Sequence, residues 1–325
     1  MTTRRAFLAA AGSCAAHLAV ALAAGTPAAR RLFAAAPCGP LVAREPWGRI
    51  ERIAEGAWAL VSTPLEGGPD AMRTFSNGGI VAGRDGVVVI EGLASEEGAA
   101  WLAGKARELT GRAPDWVVLT HYHGDHSTGI GGYEPARPLY LTTAATREEL
   151  DRRAADRGEP SPAAAVLASY RARLVDSGDA TLDLGGRRVR VVPHSGHTRS
   201  DLAVVLEDPR LVWCGDLVWN GLFPNYVDAT PSELSRNVRA LLDEPADRWV
   251  PGHGSLADRA AVVTYVSLLD DVEAAARRGV EAGIPAADAA RGYRPPAALG
   301  EWVLFGDRYY GLAFSAWERE LRQNP

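Results

Sequence analysis

Three imidazoles and a carboxylate fall within six residues in the stretch Thr120-His121-Tyr122-His123-Gly124-Asp125-His126, directly after the apolar run Trp116-Val117-Val118-Leu119. Neutral imidazole and carboxylate are the ligand types that suit zinc and its neighbours among the divalent metals. In an extended segment alternate side chains share a face, so His121 and His123 can reach one ion while Tyr122 turns away. Gly124 then frees the backbone to turn, and Asp125 and His126 beyond it could serve a second ion nearby. A polar loop that is histidine-rich by chance is a poor account, because the whole chain carries only seven histidines.

Further candidates recur at the ends of predicted strands: His197 in Gly196-His197-Thr198, Asp216 in Cys214-Gly215-Asp216, and His253 in Pro251-Gly252-His253-Gly254. His194 lies near this set, but its spacing gives it a structural or rim role. Asp201 follows His197 closely and reads either as a residue supporting a ligand or as a surface carboxylate.

The elements that must position these residues are legible as apolar runs between turn signals. Trp58-Ala59-Leu60-Val61, Gly79-Ile80-Val81-Ala82 and Val87-Val88-Val89-Ile90 read as strands, with Asp85-Gly86 as a tight turn between the last two. Ser95 caps a helix closed by Gly111, and Pro114 opens the strand that delivers the histidine cluster. Leu139 to Thr142 is a short strand, and 146–173 reads as helix broken at Pro160 and Pro162. Two hairpins follow, 180–192 and 202–214. Thr230-Pro231-Ser232-Glu233 has the form of a capping box, and Ser255 is placed to cap a helix running to about Arg277. Residues 63–75, rich in Gly and Pro, read as a flap. Trp219, Asn220, Phe223 and Tyr226 read as a loop overhanging the site. With strands first and helices after in each half, and no crossover rhythm, the pattern implies two packed sheets with helices outside.

The chain has 325 residues, is 47% hydrophobic and carries a formal net charge of −5. That supports a sizeable core and offers no basic field to attract nucleic acid. Residues 1–36 read as a targeting segment: Arg4-Arg5, an alanine-rich apolar run to Ala24, and Ala34-Ala35-Ala36 for cleavage. This resembles a twin-arginine signal, which implies periplasmic export of a folded protein and no stable membrane insertion after cleavage. The run is short for a membrane span. Cys38 and Cys214 could pair in an oxidising compartment, although Cys214 reads as a small buried hydrophobe at a strand end.

His121-x-His123-x-Asp125-His126, Gly196-His197-Thr198, Gly215-Asp216 and Pro251-Gly252-His253-Gly254, in this order, resemble the metallo-β-lactamase superfamily. The resemblance spans 45–276, leaving 277–325 as a helical extension packed on the domain. It implies an α+β fold, an αββα sandwich of two mixed sheets. It further implies that His121, His123 and His197 hold one metal, that Asp125, His126 and His253 hold a second, and that Asp216 bridges them. The expected cofactors are two Zn²⁺, with iron or manganese as substitutes. Paired metals lower the pKa of a shared water, and Asp125 would orient the nucleophile or shuttle its proton. The implied activity is hydrolysis of an ester, thioester, lactone or similar carbonyl in a small-molecule substrate.

A bridging Asp216 looks more like the glyoxalase II and lactonase branches than like the β-lactamases, and the end of the chain shows no counterpart to the basic glutathione-thioester site of glyoxalase II. Gly196-His197-Thr198-Arg199-Ser200-Asp201 with Cys214-Gly215-Asp216-Leu217-Val218 is similar to a periplasmic branch associated with sulfur oxidation and quinoprotein dehydrogenases. Alternatives on the same scaffold are a β-lactamase, a mononuclear iron persulfide dioxygenase, and a non-catalytic metal- or cofactor-handling accessory of a quinoprotein system. One departure stands out: the strand ending at Ile90 is followed by Glu91 where the family usually has Asp.

Overall fold

The computed structural model describes residues 32, 36–63, 73–158, 161–168, 171–306 and 308–323. Most of the targeting segment and most of the 63–75 flap therefore lie outside the described residues. Two sheets carry the fold. The first has eight strands in sequential order, β1 (Leu41–Glu45), β2 (Gly48–Ala54), β3 (Ala57–Ser62), β4 (Gly78–Ala82), β5 (Val87–Ile90), β6 (Trp116–Val118), β7 (Leu139–Thr142) and β8 (Ala172–Leu174). The second has five strands in the order β14-β12-β11-β10-β9, where β9 is Ala180–Asp183, β10 Arg188–His194, β11 Asp201–Leu206, β12 Leu211–Trp213 and β14 Arg248–Val250. A two-stranded ribbon pairs β13 (Trp219–Asn220) with β15 (His253–Gly254).

Strand alternation sorts the core into layers. Along β3, Ala57, Ala59 and Val61 point into the space between the sheets, where they join Leu202, Val204 and Leu206 of β11. Trp58 and Leu60 point the other way, onto the helix α1 (Glu96–Thr110) through Ala99, Leu102 and Ala106. Ala203 and Val205 of β11 face outward under the C-terminal helices. The strands are thus buried on both faces, which is why Val87-Val88-Val89-Ile90 is a continuous apolar run. Across the sandwich, Trp213 Nε1 donates to the Gly78 carbonyl at 3.2 Å. The α+β sandwich with helices on both outer faces is the expected architecture.

Several local expectations are corrected. Strands β5 to β8 are parallel, so half of the first sheet does have crossovers, through α1 and through the pair α2 (Ala144–Arg157) and α3 (Pro162–Leu167). The short strand β8, read as helix from its Ala and Arg content, closes that sheet; pairing with β7 overrides propensity there. Thr230 precedes the helix α4 (Pro231–Asp243) with Pro231 in its first turn, yet its side chain makes no capping bond. Asp258, not Ser255, caps α5 (Arg259–Glu281), accepting from Ala261 N at 2.8 Å. Helix α5 runs continuously across residue 276, and α6 (Ala286–Gly292) and α7 (Arg308–Gln323) share one apolar core with it and with α4. Among the described residues no helix is long and apolar enough to cross a membrane.

Candidate metal centre

Loops at one edge of the sandwich converge on a buried polar cluster. The loop after β6 brings His121 and His123, and Gly124 opens a four-residue helix (Gly124–Ser127) that carries Asp125 and His126. His197 sits between β10 and β11, Asp216 in the turn after β12, and His253 in β15, paired in register with Trp219. Gly196 has φ 127, and a Cβ there would meet Leu234 N at 2.3 Å, so the His197 turn needs glycine.

The seven candidates form two groups. His121, His123, His197 and Asp216 bring one ligand atom each within 4.8 Å of one another, as do Asp125, His126 and His253. Asp216 faces both. Its Oδ2 lies 3.3 Å from His197 Nε2 and 3.9 Å from His121 Nε2, while its Oδ1 lies 3.1 Å from His126 Nε2 and 3.3 Å from His253 Nε2. Asp125 Oδ2 stands 3.2 Å from His253 Nε2. His197 Nε2 and His123 Nδ1 face each other at 2.9 Å.

The donor set fits divalent metal ions on its hydrogen-bond balance. His121 Nε2, His126 Nε2, His253 Nε2 and both oxygens of Asp125 and Asp216 are buried without a hydrogen-bond partner. A buried polar atom left unpaired costs about 1–3 kcal/mol, and more when charged. So many orphans on one convergent set are accounted for by cations that accept all of their lone pairs.

Electrostatics separates the groups. Burial, reinforced by the neighbouring imidazoles, holds His121 well below its ordinary pKa. Burial likewise lowers His197 to about 3, against the pull of Asp216. In the second group burial also opposes protonation, but the carboxylates outweigh it. Asp216, Glu91 and Asp125 raise His126 well above its ordinary value, and Asp216 with Asp125 raises His253 to about 9. In the metal-free protein His121 and His197 are therefore neutral imidazoles, while His126 and His253 are held as ion pairs with the carboxylates.

Four of the seven candidates are held from behind. Thr120 Oγ1 donates to Glu91 Oε1 at 2.6 Å and has a single proton, so at 3.0 Å it accepts from His121 Nδ1–H, leaving Nε2 to face the cluster. Glu91 Oε1 also lies 3.1 Å from His126 Nδ1. Asp228 Oδ2 lies 2.9 Å from His123 Nε2 and 2.7 Å from an Arg153 guanidinium nitrogen, and Arg153 stacks over the Tyr122 ring at 4.5 Å. Asp201 is buried and accepts from the backbone N–H groups of His197 and Thr198, so it supports the His197 loop.

Asp228 went unnoticed in the sequence, where it is one acid in an unpatterned loop; only the tertiary fold brings it to His123. His194 belongs to neither group; its Nδ1 meets Asn237 Oδ1 at 3.2 Å, linking the end of β10 to α4. The expected aromatic overhang is corrected: Trp219, Phe223 and Tyr226 are buried in the core under the C-terminal helices. Trp219 packs on the His253 ring at a centroid distance of 4.5 Å. Cys38 is exposed, Cys214 is buried, and the two are unpaired.

The profile of the Metallo-beta-lactamase superfamily matches residues 71–253, more than half of the chain. The chain belongs to that superfamily. It is 28% identical over 179 residues to a hydroxyacylglutathione hydrolase of Acidiphilium cryptum, covering 55% of this chain and 65% of that protein. It is also 28% identical over 167 residues to one of Parasynechococcus marenigrum, covering 50% and 58%. The matches thus span less than two thirds of these relatives. Among solved structures, a metallo-beta-lactamase from Pontibacter korlensis superposes with a TM-score of 0.55 at 20% identity, over 69% of this chain and 99% of that one. A stereoselective inverting sec-alkylsulfatase from Pseudomonas sp. gives 0.65 at 13% identity, over 83% and 49%. At these identities the likeness is one of fold.

Proposed function

We propose that this protein is a dinuclear zinc hydrolase acting on an ester, thioester, lactone or similar carbonyl of a small molecule. The observation that carries the reading is Asp216, which turns one oxygen to each of two histidine groups. His121, His123 and His197 would hold one ion, Asp125, His126 and His253 the other, with Asp216 shared. When bound, such ions supply Lewis acidity, giving a nucleophile from water near neutral pH and polarising the substrate carbonyl.

The protein's own groups supply the rest. Glu91, Thr120 and Asp228 fix the ring orientation of His121, His123 and His126, so the ligand atoms are preorganised. Asp125 carries the proton-handling role: both its oxygens are buried, and Oδ2 sits beside His253 Nε2. Burial raises the Cys214 thiol well above its ordinary value, which makes it a poor nucleophile. The hydroxyacylglutathione hydrolase relatives favour a thioester among the candidate substrates.

The test is metal analysis of the purified protein together with a hydrolysis panel of thioesters, lactones, esters and β-lactams. Two zinc ions per chain with turnover lost in His121→Ala support the reading; one iron with oxygen uptake on a persulfide overturns it. The Arg4-Arg5 leader supports export by the twin-arginine route to the periplasm, and the similarity in the His197 and Asp216 motifs supports an association with a quinoprotein pathway. Fractionation of cells expressing the chain with Arg4 and Arg5 changed to Lys tests the export: wild-type must fractionate with the periplasm and the variant must not.

A further inference from the structure

The segment Phe75-Ser76-Asn77 enters β4, contributes no ligand atom, and reaches two members of the second group. Ser76 Oγ donates to the Asp125 carbonyl at 2.8 Å. The Asn77 side-chain amide donates to the carbonyls of Pro251 and Gly254 at 2.9 and 2.8 Å, bracketing His253, and its backbone N–H donates to Gly252 O at 2.8 Å. The Asn77 side-chain oxygen accepts from Ser62 N at 2.9 Å, tying the His253 loop to the end of β3. Both side chains are buried.

Phe75 adds an independent observation. It adopts φ 61, a left-handed conformation that a bulky residue adopts only where its surroundings impose it. In that conformation its buried ring lies edge-on to His253 at a centroid distance of 6.4 Å. One tripeptide therefore touches the backbone of Asp125, both backbone neighbours of His253, and the His253 ring. None of these bonds reaches His121, His123 or His197.

We infer that Ser76 and Asn77 are positioning residues for the second metal alone, so that occupancy of that ion, and with it the dinuclear state, is set by the entry to β4. This rests on the two-metal reading above. Removing residues that orient metal ligands costs about 10- to 100-fold in metal affinity. Here that loss falls on one site of the two. Ser76→Ala removes the hydroxyl that holds the Asp125 carbonyl. Asn77→Asp keeps the shape but turns an oxygen toward the Pro251 and Gly254 carbonyls.

The experiment is titration of the full-length metal-free protein with zinc, and with cobalt followed by visible absorption, for wild type, Ser76→Ala and Asn77→Asp, alongside thermal unfolding of each metal-free form. Wild type is expected to take two ions, and both variants to bind the first normally and the second about 10- to 100-fold more weakly. Two ions bound at wild-type affinity in Ser76→Ala overturn the inference while leaving the two-metal reading intact. Equal weakening of both ions also overturns it, since the effect is then general to the fold. Should Asn77→Asp not fold, Ser76→Ala, which deletes one hydroxyl, decides alone. A wild type that takes a single ion overturns the two-metal reading itself.

Discussion

Asp228 Oδ2 and His123 Nε2 stand 2.9 Å apart, on the side of the ring away from the cluster. Asp228 is held well below the usual carboxylate range: burial works against this, but His123 and Arg153 prevail. It is thus an acceptor, which makes His123 Nε2 the donor and Nδ1 the unprotonated nitrogen, turned toward His197. Asp228→Asn can present an N–H to that ring and favours the wrong tautomer. We expect about a 10- to 100-fold loss of affinity for the ion held by His121, His123 and His197. Metal titration of the variant checks this; unchanged affinity would show that the ring is fixed by packing alone.

In metal-free protein the second group predicts an unusual pH profile. His253 rises to about 9 from an unfolded value near 6.5. A raised histidine stabilises below its unfolded pKa, and that contribution is lost as pH climbs from about 6.5 to 9. His197, lowered to about 3, works on the other side. Its contribution is present above about 6.5 and fades as pH falls toward 3. Metal-free protein should therefore be most stable near pH 6.5, and the rise in melting temperature on adding zinc should be larger at pH 8.5 than at pH 6. Thermal unfolding in chelator and in zinc across this range measures both. A zinc-induced rise that shrinks with increasing pH contradicts the charge assignment.

Gly252 gives a steric prediction. A Cβ at this position would stand 1.9 Å from Asp216 Oδ1 and 2.8 Å from the Gly215 carbonyl. Gly252→Ala must displace the shared carboxylate, and displacements of about 1 Å at a reacting centre cost about 100-fold. Gly104, exposed inside α1 with nothing near its Cβ position, is the matched control. Gly104→Ala should leave turnover unchanged and raise stability by up to about 1 kcal/mol. Steady-state turnover and chemical denaturation of the two variants read these effects.

The two candidate groups were legible because histidine is scarce in this chain, with seven in all, and most of its imidazoles fall at predicted strand ends close to an Asp. The layers were legible because alternation and apolar runs report burial. Residues that act through backbone bonds leave no such trace. Ser76 and Asn77 look like ordinary turn formers, and their partners beside Asp125 and His253 lie 49 and at least 174 residues away on the chain. Trp219 and Phe223 illustrate the converse: aromatics after a ligand suggest a substrate wall, but the helices of the last fifty residues cover them. Whether an aromatic packs or protrudes depends on what arrives later in the chain.

Glu91 is the one departure from the family pattern that the sequence did expose, and its position predicts an effect on both ions at once. Its backbone has φ 84, held by its N–H on Val118 O and by the Tyr133 hydroxyl on its carbonyl, each at 2.9 Å. This aims Oε1 at two targets, the Thr120 hydroxyl that orients His121 and the Nδ1 of His126. One carboxylate thus backs a member of each group, whereas Asp228 backs only the first. Glu91→Gln can keep the Thr120 bond through its amide oxygen but removes the charge beside His126. Glu91→Asp withdraws the carboxylate from both. We therefore expect Glu91→Gln to weaken chiefly the ion held by His126, and Glu91→Asp to weaken both, each by about 10-fold or more. Parallel cobalt titrations of the two variants separate the cases, and a Glu91→Asp protein that binds both ions normally would mean the strand end shifts to restore both contacts.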